Sequence, residues 1–296
     1  MNLECSFLMR MCLKLGWEQM AWSLRRLHCP VDAKALVLEV GSGGNPYFRS
    51  NVLLDAFEVT QQRHWEPLVA DRPTVLGAVE HLPFRDKCFD FVIASHVFEH
   101  SPQPELFLLE LQRVAKAGYI EVPDALMERL NPYRDHRLEI TVREGKMIVR
   151  KKANWRADPE LVELFESRGK KWISGETIPF HPFDFHVRYY WNDTINFTVL
   201  NPEVDATWKA PTEVNSVRTR RGWRASIKAL VLQLARGLFS QRSRNACIKL
   251  DKLLACPVCR GIDLEIAEVR VVCGSCHTEY PVRNGLPVMH VKDWTL

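Results

Sequence analysis

Four cysteines of the 296-residue chain fall in two pairs of equal spacing, Cys256-Pro257-Val258-Cys259 and Cys273-Gly274-Ser275-Cys276. A Cys-x-x-Cys turn presents two thiolates to one point, and two such turns supply the four thiolates of a tetrahedral zinc site. A site complete in four protein ligands leaves no open position, so the expected role of Zn2+ is structural. A second set of residues could move protons. His96 and His100 follow one apolar run and His136 lies past the next, and an imidazole titrating near neutral pH can take the proton of a hydroxyl. The third feature is the turn Gly41-Ser42-Gly43-Gly44 behind the run Leu36–Val40. Glycines at a strand end let backbone N–H groups approach a ligand, as nucleotide-type ligands require in open α/β sheets. Pro46 stands where a dinucleotide fingerprint would run on to another glycine, which counts against NAD.

These residues need a scaffold that brings them together, and the apolar runs describe one. Leu36–Val40, Asn51–Asp55, Val75–Val79, Phe89–Ser95 and Gly118–Pro123 read as buried strands, and Pro104–Ala115 as a helix. Strands alternating with helical segments imply an α/β fold, a doubly wound, Rossmann-like parallel sheet. In such a sheet ligands bind beyond the carboxyl ends of the strands, where the glycine turn, Asp55 and Ser95-His96 all fall. A carboxylate at Asp55 can accept both hydroxyls of a ribose. His136–Val142 and Lys146–Arg150 flank Arg143-Glu144-Gly145 as a hairpin, and Val187–Trp191 with Thr194–Leu200 form a second pair; one pair is expected at an antiparallel edge of the sheet. Phe7–Leu27 reads as a helix broken near Gly16, with Trp17 and Trp22 in the core. The stretch Ile178–His186, dense in aromatics and histidine, reads either as a cover over the substrate or as a core loop.

The order "VLEVGSGGNP", "VLLD", "GAVEHLPFRDKCFDFVIASHVFEH" and "RVAKAGYIEVP" over residues 35–125 resembles a class I S-adenosylmethionine-dependent methyltransferase of the ubiquinone-type branch. The resemblance implies that Glu39 and the turn Gly41, Ser42, Gly43 and Gly44 hold the methionine part of S-adenosylmethionine. It further implies that Asp55 binds the ribose and that Ser95 and His96 line the methyl-transfer face. The chain departs from the family at Ala78, where an acid usually receives the adenine amino group; adenine would then rest on backbone near Val79 and Glu80. The run "LLACPVCRG…VVCGSCHTEYPVRNGLPVM" resembles the small zinc-ribbon subunit that activates tRNA, ribosomal-RNA and release-factor methyltransferases, and its short bacterial relatives. Here it would be fused to a methyltransferase.

The net charge of +4 is uneven. No acid occurs from Ser216 to Leu250, a segment with nine Lys and Arg residues. Within it, residues 224–238 have helical apolar spacing, so a basic amphipathic helix is expected to pack on the protein, touch an anionic membrane or meet RNA phosphates. No apolar run approaches the roughly 18 residues that span a bilayer, and charges interrupt the N-terminal segment; a cytoplasmic protein with at most peripheral membrane contact is expected. The expected division is a helical segment at 1–34, a methyltransferase domain with a substrate-covering insertion at 35–210, a basic linker at 211–249 and the ribbon at 250–296. Three functions stay open: methylation of a hydroxyl on a saccharide or other small, even lipid-linked, acceptor; methylation of RNA or protein with the ribbon as activator; and a non-catalytic interaction protein, which only Ala78 favours.

Overall fold

The computed structural model describes residues 4–60, 66–130, 132–155, 159–209 and 236–292. Five parallel strands, β1 (Val37–Val40), β2 (Val52–Asp55), β3 (Thr74–Leu76), β4 (Phe89–Ser95) and β5 (Ala115–Pro123), form the centre of the main sheet. A three-stranded side sheet takes β6 (Leu138–Arg143), β7 (Lys146–Lys151) and β9 (Phe197–Val199), while β8 (His186–Asn192) closes the main sheet antiparallel to β5. The main-sheet order is β3-β2-β1-β4-β5-β8. The reversal between β2 and β4 about β1 creates the switch point at which such sheets bind ligands. Of the two expected strand pairs, β6 and β7 form their hairpin through Glu144 and Gly145, both at positive φ. The other pair separates, because β8 follows the sheet edge whereas β9 turns away to run parallel with β7.

The central strands alternate in what they bury. Leu38, Val40, Val92, Ala94 and Ile120 join one apolar cluster; Val37, Phe91, Ile93 and Tyr119 join another. The period of two assigns them to opposite faces of the sheet. The first face packs against α3 (Pro104–Val114), which begins with proline in its first turn and buries Phe107, Leu108, Leu111 and Val114 at helical spacing. Burying each such side chain contributes about 1.5–3 kcal/mol. Among the described residues no helix connects β1 to β2 or β2 to β3.

The cysteine-rich segment occupies part of that first face. Its strands β10 (Leu264–Ile266), β11 (Arg270–Cys273), β12 (Glu279–Arg283) and β13 (Leu286–Pro287) make an antiparallel ribbon. Leu254, Val271, Tyr280 and Met289 bury into the same cluster as Leu38 and Leu54. Val288, just past β13, bridges to Leu76 in parallel, and the Met289 N–H donates to the Leu76 carbonyl at 2.7 Å. The ribbon therefore touches the main sheet at its β3 edge through this one bridge.

The opposite face is covered by the N-terminal segment. Helices α1 (Phe7–Lys14) and α2 (Glu18–Leu24) meet around Gly16, whose φ of +74° lets the chain turn there. Trp17 is exposed, contrary to its expected core position, because it sits in that turn. Trp22 packs edge-on against Phe183 at 5.2 Å and beside His186 at 4.8 Å. No helix of the described residues is long and apolar enough to cross a membrane. The basic segment lies outside the described residues from 210 to 235, so the expected amphipathic helix at 224–238 is described only from Arg236.

Candidate functional site

The carboxyl ends of β1 to β4 surround a cavity of about 110 Å³ lined by Gly41, Asp55, Gly77 to Glu80, His96, Val97 and His100, with Ala56, Phe57 and Phe107 among its apolar walls. Gly41 has φ +65°, and a Cβ there would stand 2.6 Å from Val97. Only glycine fits that corner. The buried Asp55 carboxylate accepts the N–H of Gly43 at 2.9 Å and that of Phe57 at 3.0 Å, which fixes the turn against the end of β2. The buried Ser42 hydroxyl has no hydrogen-bond partner among the described residues, though of the turn only Gly41 lines the cavity and Ser42, Gly43 and Gly44 stand behind it. Glu39 behaves differently. Its buried carboxylate accepts the Tyr47 N–H at 2.8 Å and the Ser50 hydroxyl at 2.5 Å, and burial raises its pKa to about 6. It shapes the chain between β1 and β2 and does not line the cavity.

The histidines expected to act are brought near one another, yet their electrostatics differ. His96 has φ +55°, a strained conformation for a non-glycine residue. Its Nδ1 lies 3.5 Å from Glu99 Oε1 and its Nε2 3.4 Å from Glu121 Oε1. Burial works to lower its pKa, but these carboxylates outweigh burial and push it to about 10. An imidazolium has no lone pair, so the raised pKa counts against His96 as the proton acceptor. His100 donates from Nδ1 to the Asp135 carbonyl at 3.2 Å, and burial together with His136 lowers its pKa. The His100 and His136 rings meet edge to face at 4.8 Å. His136 Nδ1 stands 2.5 Å from Glu128, and although burial opposes it, that carboxylate raises the His136 pKa.

A buried hub at the end of β5 was missed in the sequence. Glu121 accepts Arg25 Nε at 2.7 Å and Nη2 at 3.0 Å, the Tyr119 hydroxyl at 2.5 Å and the Ser95 hydroxyl at 3.0 Å. Burial would raise its pKa, but His96 and Arg25 hold it well below the usual carboxylate range. The available signal was a single acid in the apolar run Tyr119-Ile120-Glu121-Val122; Arg25 could not be paired with it without the fold. Ser95 consequently serves the hub and does not line the cavity. Beside His96, His186 stacks edge-on at 5.5 Å and Trp22 lies beyond it, while none of Trp22, Phe183 and His186 lines the cavity. At the β3 end, Val79 and Glu80 line the cavity, and the buried Glu80 carboxyl accepts the Ser101 hydroxyl at 2.5 Å.

The ribbon cysteines gather as expected. Sulfur atoms of Cys256 and Cys276 lie 3.6 Å apart and those of Cys259 and Cys273 3.5 Å apart. Zn–S bonds of about 2.3 Å place tetrahedral sulfurs roughly 3.8 Å apart, so the cluster fits zinc. From this ribbon Met289 meets β3, and His290 lies 3.1 Å from the Ala56 carbonyl beside the cavity wall.

Residues 38–120 match the family described as "Methyltransferase domain", and residues 249–285 match "Trm112p-like protein". A UPF0434 protein of Shewanella sediminis is 43% identical over 42 residues, which are 14% of this chain and 70% of that protein. The chain belongs, through its C-terminal segment, to the UPF0434 family. Bordetella petrii has a UPF0434 protein 46% identical over 42 residues, 14% of this chain and 69% of the relative. The methyltransferase domain precedes this UPF0434 ribbon in the same chain. Among solved structures, the YcgJ protein of Bacillus subtilis is 21% identical with a TM-score of 0.27, over 36% of this chain and 50% of its own. The match thus spans about half the length of that protein. A complex of the Haloferax volcanii Trm112 methyltransferase activator with a methyltransferase is 19% identical with a TM-score of 0.28, over 45% of this chain and 73% of that one.

Proposed function

We propose that the protein transfers a methyl group from S-adenosylmethionine to a hydroxyl of a small acceptor. The observation that carries this reading is the cavity, in which Gly41, Asp55 and Gly77–Glu80 from three strand ends share one wall with His96 and His100. When bound there, S-adenosylmethionine supplies an electrophilic methyl group on a positively charged sulfonium. In this reading Asp55 accepts the ribose hydroxyls, since each carboxylate oxygen can accept more than one hydrogen bond. Backbone of the turn Gly41–Gly44 and the Ser42 hydroxyl receive the amino-acid end, with Glu39 acting only through the shape of the turn. Glu80 takes over the acidic role missing at Ala78, because its carboxyl reaches the cavity two residues later. His96, held by Glu99 and Glu121, orients what lies on the transfer face, and Ser95 acts only through Glu121. His100, on the cavity wall, keeps a lone pair at Nε2 beside the acceptor.

Trp22, Phe183 and His186 gather beside His96, and in this reading they bound the acceptor side, which favours a small acceptor such as a saccharide over a polynucleotide. One observation favours RNA or protein instead, the match of the ribbon to the Trm112p-like family. In either case Zn2+ bound by Cys256, Cys259, Cys273 and Cys276 is structural. Calorimetric titration of the full chain with S-adenosylmethionine tests the first claim: one site is expected, weakened at least tenfold by Asp55→Ala, and absence of binding refutes the enzyme. Incubating the chain with methyl-labelled cofactor and cell extract tests the second. Label in the low-molecular-weight fraction is expected; label in RNA or protein overturns the small acceptor.

A further inference from the structure

Beside the cavity, three side chains remain whose arrangement the cofactor does not explain. Glu99 and His100 end the single 3-10 turn Phe98–His100, and His136 approaches from the chain ahead of β6. One ligand atom from each lies within 4.8 Å of the other two. No hydrogen bond joins Glu99 to either imidazole among the described residues, and Glu99 Oε2, in a residue only 2% exposed, has no partner there at all. A buried carboxylate oxygen without a partner is costly, and a bound cation removes that cost.

The outer contacts are those of metal-binding histidines. Nδ1 of His100 is taken by the Asp135 carbonyl and Nδ1 of His136 by Glu128, so each ring has Nε2 left as the nitrogen with a lone pair. Glu128 is in turn bound by Lys152 at 3.0 Å, which fixes the carboxylate that fixes the ring. A histidine ligand donating its other N–H to a carboxylate or carbonyl is the usual support for ligation. Tyr133 stacks on His136 at 4.6 Å, and the Arg137 N–H holds the Glu99 carbonyl at 2.7 Å, which ties the two chain segments together.

Of the two uses open to the lone pair of His100, proton acceptance and metal ligation, we infer the second: Glu99, His100 and His136 bind a divalent first-row transition-metal ion at the cavity wall. Two imidazoles and one carboxylate suit such ions, whose ligand atoms stand roughly 3–3.5 Å apart, so no pair needs to close by more than roughly 2 Å on binding. Three protein ligands leave coordination positions open, in contrast to the ribbon, and of the three His100 lines the cavity. Oxygen atoms of the acceptor, above all a pair of neighbouring hydroxyls, are the ligands those positions select. The use of the ion in methyl transfer rests on the function proposed above; the ion site itself does not.

The test uses Mn2+ as probe, because manganese favours nitrogen and oxygen over the ribbon thiolates. The full chain, with its ribbon loaded with zinc, is titrated with Mn2+ and the free ion is followed by electron paramagnetic resonance. One Mn2+ per chain is expected. Glu99→Gln and His136→Gln each weaken it at least tenfold, and Glu128→Gln, acting through His136, by roughly 10–100-fold. Ribbon zinc content reports that each variant is folded. For a variant that loses zinc, the visible absorption of Co2+ added to the wild-type chain decides instead: a spectrum of nitrogen and oxygen ligation supports the site and its absence overturns it. Absence of a Mn2+ site, or a Mn2+ affinity unchanged in folded Glu99→Gln, also overturns it. S-adenosylmethionine binding without Mn2+ binding rejects the metal and leaves the methyltransferase standing; Mn2+ binding alone keeps the site and rejects the methyltransferase.

Discussion

The two faces of the central sheet are built from the same strands and opposite chemistry. Leu38, Val40, Val92, Ala94 and Ile120 turn to one side and meet α3 and the ribbon through carbon alone. Glu39 and Glu121, on the alternate residues, are buried with polar company: Tyr47, Ser50, Arg25, Ser95 and His96. Apolar burial stabilises in proportion to area and tolerates small shifts, whereas a buried charge network is worth little net and fixes geometry. The difference assigns stability to one face and the orientation of the site to the other.

Removing zinc is the strongest way to break that contrast. Chelation in reducing buffer should unfold the ribbon, whose small core depends on the metal, and uncover the apolar face; a fall in Tm of more than roughly 10 °C is expected by calorimetry. On the same face Phe84→Ala, which also removes an edge-to-face partner of Phe89 at 5.0 Å, should cost about 3–5 kcal/mol in urea unfolding. Across the sheet Arg25→Met strands the Glu121 charge and should cost about 3–5 kcal/mol, while adding Glu121→Leu should restore most of the stability and none of the cofactor binding. No recovery in the double variant would show that this face also works by packing. Gly41→Ala puts a methyl group against Val97 in a left-handed conformation and should cost about 1–3 kcal/mol, read from the shift in urea midpoint. Smallest is Glu80→Gln, with S-adenosylmethionine affinity about tenfold lower by calorimetry, near 1.4 kcal/mol, and an unchanged urea midpoint.

Much of this was legible beforehand because local patterns carry it. The glycine turn, the acid closing β2, the strand run Phe89–Ser95 and the cysteine spacing depend on neighbours in sequence. The pairing of Asp55 with Gly43 and the gathering of four sulfurs follow from such patterns. What escaped was the meeting of distant residues. Arg25 reaches Glu121, Glu128 holds His136, and Trp22, half-buried, packs with Phe183 and His186. The charge of His96 was unreadable for the same reason, since one of its two carboxylates arrives on β5. The second strand pair failed because β9 finds a better partner in β7 than in β8, a tertiary choice invisible to a hairpin pattern.

The contact of Val288 and Met289 with Leu76 has a consequence for how the two parts of the chain depend on each other. A ribbon held as a separate subunit would leave on dilution, baring the β3 edge as a template for strand addition by other molecules. Within one chain the ribbon faces that edge at an effective concentration set by its tether and not by its abundance. Fusion thus replaces a binding equilibrium with an intramolecular one, and the edge stays guarded however dilute the protein becomes.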